Sequence, residues 1–185
     1  MSDLPAAPPD GPARAVHAFD TAPAEALRPG LEVCLHAGQW VDAVLAGRPY
    51  RSVAALEAQA GLAAEALSEQ ALQEALTAHP RIGERPADAG ASSTHSRREQ
   101  AGVSQDPTTA ERLREANLAY EARFGHVLLV RAAGRSAADV LALARQRLGH
   151  DAATEARVVR QQLGEIAVLR LRGLLDELAR QEAGR

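Results

Sequence analysis

Apolar side chains recur at helical spacing along most of the chain, between recognisable start and stop signals. Over residues 24–47 the pattern predicts two short helices, the second starting at Pro29. Ser52 is suited to cap a third helix that stops at Gly61, and a fourth is predicted over residues 63–78. The first half of the domain is therefore predicted to be helical.

The second half carries three further helix signals. Asp106-Pro107 pairs an N-cap residue with a proline suited to the first helical position, and this helix ends at Gly125. Ser136 and Asp139 have the spacing of a capping box for the next helix. The last helix begins near Asp151 and runs to the end of the chain.

Two stretches depart from helical spacing. The run HVLLV, which consists of His126, Val127, Leu128, Leu129 and Val130, is short, apolar and β-branched, so it predicts a buried extended segment without a partner strand. Residues 1–15 carry four prolines and little periodicity, which predicts a disordered tail. We therefore expect an all-α, single-domain bundle of about eight helices over residues 16–185, with one short extended buried segment.

Composition supports this fold class and excludes several functions. The 185 residues are rich in Ala, Leu and Val and poor in aromatics, which favours helices with close contacts. The net charge of −3 comes from interspersed charges without a basic stripe, so no nucleic-acid partner is expected. The single cysteine, Cys34, predicts a buried thiol in a reducing compartment. Without an apolar run of membrane-spanning length or a signal peptide, we expect a cytoplasmic protein with no membrane partner.

Candidate chemistry concentrates in residues 79–100. His79 precedes Pro80 at a predicted helix end, where a cation complements the helix dipole; this is a structural role, but the same dipole favours the protonated form that a general acid needs. Ser96, Glu99 and Gln100 follow i, i+3, i+4 spacing and share one helical face. A carboxylate is also favoured for structural reasons at this position, in the first turns of a helix.

Arg170 is an exception within the last helix. It lies in the middle of an apolar stripe formed by Val159, Leu163, Ile166 and Leu174. A buried cation needs an anionic partner, whereas a snorkelling side chain reaches water. Both alternatives fit the pattern.

Familiar catalytic motifs are absent. His95 and Glu99 have i, i+4 spacing but no third ligand at a recognisable distance, so no metal is expected. Nucleotide-binding loops and nucleophile elbows do not occur either. The residues alone thus indicate a cofactor-free helical domain with a candidate polar cluster and no defined reaction. The cluster consists of His79, Ser96, Glu99, Gln100 and Arg170.

Several motifs in fixed order resemble one enzyme family. They are HPRIGE from His79, SRREQAGV from Ser96, YEARFGHVLLV from Tyr120, GRSAADVLALARQRLGHDAATE from Gly134 and EIAVLRL from Glu165. Upstream, QWVDAVLAGRPY has a matching tryptophan and Arg-Pro-aromatic signature. Together they resemble 2-oxo-4-hydroxy-4-carboxy-5-ureidoimidazoline (OHCU) decarboxylases. The resemblance implies an all-α, typically dimeric enzyme of urate degradation that needs neither metal nor cofactor and forms (S)-allantoin and CO2.

The resemblance also implies roles for individual residues. The catalytic set is His79 as the acid, with Glu99 and Arg170. The implied substrate-binding set is Pro80, Ser96, Arg97, Arg98, Glu99 and Gln100, with the segment formed by His126, Val127, Leu128, Leu129 and Val130. Two alternatives stay open: a ureide hydrolase in which His79 activates water, and a non-catalytic helical interaction module.

Overall fold

The computed structural model describes residues 11–79, 81–82, 107–131 and 135–184. Within these ranges the chain forms eight α-helices and no strand, which confirms the predicted all-α class. The helices are α1 (Gly11–Thr21), α2 (Ala24–Cys34), α3 (Gly38–Ala46), α4 (Val53–Glu65), α5 (Glu69–Thr77), α6 (Pro107–Phe124), α7 (Ala137–Leu148) and α8 (Ala152–Ala183). No helix in the described ranges is both long and apolar enough to cross a membrane.

The apolar residues form two core clusters. The larger one joins α1–α5 to the long helix α8, and Trp40 lies fully buried within it. The indole N–H of Trp40 donates to the carbonyl of Ala60 at 2.9 Å, which ties α3 to α4. The smaller cluster lies mainly between α6 and α7 and includes Tyr120 and Val140. The geometry of a site formed by residues from both clusters depends on the contacts that join the two clusters.

The contact between α4 and α8 relies on small residues. A Cβ atom at Gly164 would lie 3.3 Å from the Cβ of Ala64 and 3.7 Å from the carbonyl oxygen of Gly61. Gly61 lies inside α4, which continues to Glu65, so the predicted stop at this residue is wrong. Close approach of the α4 backbone explains the glycine at position 164 of α8, whereas a Cβ atom at Gly61 would have no neighbour within 4 Å.

Other predicted boundaries are wrong because packing overrides local signals. Pro29 lies inside α2, where Leu27 and Leu31 are buried on either side of it. Their burial keeps the helix continuous despite one lost hydrogen bond. The helix predicted over residues 63–78 begins only at Glu69, because Ser68 caps it with a 3.2 Å bond from the N–H of Ala71.

The predicted tail boundary at residue 15 is also wrong. Helix α1 begins at Gly11, and Ala15 and Val16 are buried against the larger cluster. Pro12 fits in the first turn of a helix, where a missing N–H costs nothing. Residues 1–10, the remainder of the predicted tail, lie outside the described ranges.

The remaining local signals that can be checked are confirmed. Ser52 caps α4, Asp151 caps α8, and Ser136 forms a full capping box with Asp139. Gly125 ends α6 with a φ of +76°, a conformation that glycine adopts without strain. In the segment that follows it, residues 127–131 are neither helix nor strand, and Leu128, Leu129 and Val130 are buried. Asp106 and the short helix predicted around Ser96 lie outside the described ranges.

The Arg-Pro-aromatic signature has a structural role. An Nη1 hydrogen of Arg48 donates to the carbonyl of Ala22 at 2.6 Å, beyond the end of α1. In return, the carboxylate of Asp20 accepts bonds of 2.9 Å and 3.0 Å from the backbone N–H groups of Tyr50 and Arg51. These bonds fasten the corner between α3 and α4 onto α1.

Candidate active site

His79 lies directly beyond the C-terminus of α5 and is 8 % exposed. Its backbone N–H donates to the carbonyl of Leu76 at 3.1 Å, and its Nδ1 lies 2.8 Å from the carbonyl oxygen of Ala75. Because a carbonyl can only accept, Nδ1 carries a hydrogen. The other ring nitrogen, Nε2, is also buried and is the atom at which this imidazole can gain or release a proton.

The two described residues that follow the His79-Pro80 pair are held by α6. Nε and Nη2 of Arg81 donate to the two carboxylate oxygens of Glu121 at 2.6 Å and 2.8 Å, and this pairing keeps the pKa of Glu121 below its usual range. The Nδ2 group of Asn117, one turn earlier, donates to the carbonyl of buried Ile82 at 2.9 Å. Helix α6 therefore fixes the backbone on the C-terminal side of the histidine.

Arg170 is buried in the middle of α8, with only 4 % of its surface exposed. Nη1 of Arg170 donates to the carbonyl of Val33 at 3.4 Å, near the end of α2. The snorkelling alternative is therefore wrong. Cys34 is a buried thiol, as predicted, and burial raises its pKa to about 12 although the charge of Arg170 opposes the shift. The neutral thiol is not an anionic partner for the guanidinium.

The segment over residues 126–130 contributes three side chains to the two core clusters. Leu128 and Val130 are buried in the smaller cluster and Leu129 in the larger one. Within the described ranges, the N–H groups of residues 127–130 donate no hydrogen bond. Buried backbone N–H groups in folded proteins are nearly always paired, so the acceptors of these groups are not among the described protein atoms.

His126 lies at the half-buried start of this segment. Its ring meets the Tyr120 ring edge-on at a centroid distance of 5.5 Å and stacks on the Phe124 ring at 6.3 Å. Its Nδ1 lies 3.1 Å from the carbonyl oxygen of Val127. These contacts fix the imidazole against the end of α6.

A buried polar network was not predicted. Arg147 on α7 and Glu155 on α8 are 4 % and 1 % exposed, and Nε of Arg147 donates to Glu155 at 2.8 Å. Nη1 of Arg147 donates to the carbonyl of Leu129. Glu155 also accepts from the hydroxyl of Tyr120, and Nδ1 of His150 lies 2.8 Å from its second oxygen. The network therefore joins α6, α7, α8 and the segment over residues 126–130.

The carboxyl of Glu155 is ionised in this network. Burial by itself raises the pKa of Glu155, but hydrogen bonds from Arg147 and Tyr120 and the charge of Arg147 bring it below its usual range. Burial raises the pKa of Tyr120, so the phenol keeps its proton and can donate. Two signals in the sequence could have revealed the pair: Arg147 follows Val140 and Ala144 on one face of α7, and Glu155 precedes the apolar stripe of α8.

The other members of the predicted site lie outside the described ranges. They are Pro80, Ser96, Arg97, Arg98, Glu99 and Gln100. The expectation that His79 and Glu99 converge on one pocket, with Arg170 on its wall, therefore stays a prediction. Among the described side chains, no three His, Cys, Asp or Glu residues are grouped so that they could hold a metal ion.

Two solved structures share the fold. An OHCU decarboxylase crystallised in the presence of (S)-allantoin superposes with a TM-score of 0.67 at 20 % identity, over 83 % of this chain and 99 % of that one. An (S)-allantoin synthase superposes with a TM-score of 0.64 at 20 % identity, over 86 % of this chain and 53 % of that one, so this chain spans about half of its length. No curated protein sequence matches the chain.

The sequence model for OHCU decarboxylases matches residues 20–172. This range includes the buried His79, Arg147 and Arg170 and the segment over residues 126–130. The protein is therefore a carboxy-lyase built on an all-α fold. It belongs to the OHCU decarboxylase family.

Proposed function

We propose that the protein converts OHCU to (S)-allantoin and CO2 in urate degradation, with neither a metal nor a cofactor. Membership of the OHCU decarboxylase family carries this proposal. Two proteins of the same fold support the product assignment, since one was crystallised in the presence of (S)-allantoin and the other is an (S)-allantoin synthase.

The substrate carries its own electron sink, so an added cofactor is unnecessary. When the bond between the hydroxyl-bearing carbon and the carboxylate breaks, CO2 leaves and the electron pair forms a double bond to the neighbouring ring carbon. The imine electrons move onto the ring nitrogen, which takes a proton. A second proton then adds to the former imine carbon while the hydroxyl loses its own, giving the carbonyl of allantoin. The protein has to orient the ring and control these protons.

His79 is proposed as the acid that delivers the proton to one face of this planar intermediate. Its Nδ1 is held by the carbonyl of Ala75, which fixes the ring and leaves Nε2 for proton transfer. Delivery from one side gives a single enantiomer. Burial of the histidine also argues against the interaction-module alternative, in which the polar residues would form a solvated surface.

The other residues are proposed to orient the substrate. Arg170 would bind an anionic or carbonyl oxygen, and its burial strengthens such a contact because little water competes. Glu99 would hold the hydroxyl-bearing carbon and disfavour its carboxylate, and Ser96 and Gln100 would contact the ureido or ring groups. The N–H groups of residues 127–130 would donate to the substrate, which agrees with their lack of partners in the described ranges.

A product assay tests the function directly. Substrate is generated from urate by an oxidase and a hydrolase, and CO2 release and optical activity are followed with and without the protein. We expect faster CO2 release and an excess of (S)-allantoin over the racemic product of the spontaneous reaction. A ureide hydrolase would release no CO2, and racemic product at the spontaneous rate would contradict the proposal.

We further propose that the enzyme is a cytoplasmic homodimer, as its family suggests. Size-exclusion chromatography with light scattering measures the mass in solution. A mass of twice the 19.5 kDa chain is expected, and the mass of a single chain would contradict a dimer.

Arg170→Gln tests the proposed oxygen contact. Loss of a charge-assisted hydrogen bond should lower kcat/KM by about 10- to 100-fold. Arg172→Gln is the matched control, because Arg172 lies two residues further along α8 and makes an exposed ion pair with Glu57. Steady-state kinetics should show no change in this control. Equal kcat/KM in the two variants would remove Arg170 from the site.

A further inference from the structure

His79 lies in the chain between a helix of the larger core cluster and a residue of the smaller one. On its N-terminal side it is bonded to α5, whose residues Leu72, Ala75 and Leu76 belong to the larger core cluster. On its C-terminal side, Ile82 is buried in the smaller cluster. The position of the imidazole therefore depends on residues packed in both core clusters.

Helix α6 supplies the contacts on the second side. Asn117 and Glu121 are four residues apart and share one face of the helix. Glu121 accepts two hydrogen bonds from the guanidinium of Arg81, and Asn117 donates to the carbonyl of Ile82. Two consecutive residues, 81 and 82, are therefore bonded to one helix. A Cα two residues away is within about 7 Å, so fixing Arg81 also restricts His79.

We propose that α6 positions the acid: Glu121 and Asn117 hold the two residues that follow the His79-Pro80 pair, and so aim the imidazole at the substrate. This inference rests on the proposed role of His79. Neither side chain needs to touch the substrate; both are positioning residues. The buried network around Tyr120 holds α6 itself, which makes the helix a firm support.

The ion pair contributes little to stability by its own strength. Arg81 is 42 % exposed and Glu121 is 21 % exposed, and pairs of this kind contribute about 0 to 1 kcal/mol. Its removal should therefore leave the fold intact. A misplaced acid, in contrast, slows the chemical step steeply, because about 1 Å of displacement can cost 100-fold. Activity and stability should respond differently to its loss.

The chain contains a closely matched control. Nε and Nη2 of Arg172 donate to the two oxygens of Glu57 at 2.6 Å and 2.8 Å, the same distances as in the Arg81–Glu121 pair. Glu57 and Glu121 are each 21 % exposed. Glu57→Gln thus removes an equivalent ion pair on a different part of the surface.

Glu121→Gln is expected to lower kcat by about tenfold, with KM within twofold of wild type and a thermal midpoint equal to that of Glu57→Gln. Glu57→Gln should keep wild-type kcat. The double variant of Arg81→Gln and Glu121→Gln should lower kcat by less than the product of the two single effects, because the two residues act through one ion pair. Arg81→Lys, which keeps the charge, should recover part of the loss. A kcat in Glu121→Gln equal to that of Glu57→Gln would overturn the inference.

A second measurement is independent of turnover. Imidazole signals of His79 in nitrogen-proton spectra, assigned by their loss in His79→Asn, should shift in Glu121→Gln and stay unchanged in Glu57→Gln. Unshifted signals would overturn the positioning role even in an active enzyme. A shift in a protein that forms no optically active product would support the positioning role while the proposed function fails.

Discussion

His79→Asn is expected to lower the enzyme-catalysed formation of (S)-allantoin by about 10²- to 10⁴-fold, the usual contribution of a positioned proton donor. The asparagine amide can replace Nδ1 in the bond to the carbonyl of Ala75, so the local structure at the end of α5 should survive. It has no group with the reach and acidity of Nε2. The loss should therefore fall on kcat, with only a small change in KM.

The measurement follows circular dichroism of the product, because the spontaneous reaction consumes substrate without creating optical activity. His17→Asn is the control, since His17 is an exposed residue of α1. It should leave the rate unchanged. If His79→Asn still produces (S)-allantoin at the wild-type rate with an unchanged thermal midpoint, His79 is not the acid. Product that forms quickly but is racemic would mean that His79 controls stereochemistry and not decarboxylation.

Local signals in the sequence predicted much of the fold. Ser52 and Ser136 were correctly identified as caps, and the start of the last helix was correctly placed near Asp151, because a capping bond joins residues only two or three positions apart. Gly61 and Pro29 misled the prediction because their effect depends on distant packing. Gly61 does not end α4 because Ala60 and Ala64 on either side of it are buried in the core. Ala64 packs against Gly164 of α8, a contact about a hundred residues away along the chain that no local pattern encodes.

In the candidate site, too, local patterns were informative and contacts between distant residues were missed. Arg170 was conspicuous because a cation interrupted an apolar stripe, but only the structure shows that it is buried beside the end of α2. Its counterpart in α7, Arg147, interrupts a shorter stripe and was missed. Pairing of Arg147 with Glu155 depends on the turn between α7 and α8, which brings the end of α7 close enough to the start of α8 for the two side chains to meet. Resemblance to a family supplied the roles of His79 and Glu99; residue spacing did not.

Arg147→Met is expected to destabilise the fold by about 3 to 5 kcal/mol, because it leaves Glu155 as a buried charge without its cation. It also removes the donor to the carbonyl of Leu129, so the segment over residues 126–130 should lose its fixed position. Chemical denaturation at pH 7 measures the loss. Arg145→Met, an exposed change on the same helix, is the control and should cost less than about 1 kcal/mol.

The pH dependence distinguishes an uncompensated charge from simple loss of packing. In the wild type the pKa of Glu155 is below its usual value of 4.5, so its stabilising effect is complete above pH 4.5 and is lost as pH falls through the folded pKa. Without Arg147, burial should raise that pKa above 4.5. The folded variant then holds a proton that the unfolded chain releases, so its stability falls as pH rises. The loss in free energy of unfolding relative to wild type should therefore be largest at pH 7 and shrink towards pH 5.

Arg147→Met/Glu155→Leu removes both charges and should recover part of this loss at pH 7. A loss in Arg147→Met that is constant from pH 5 to pH 7 would show that packing, not charge, is responsible.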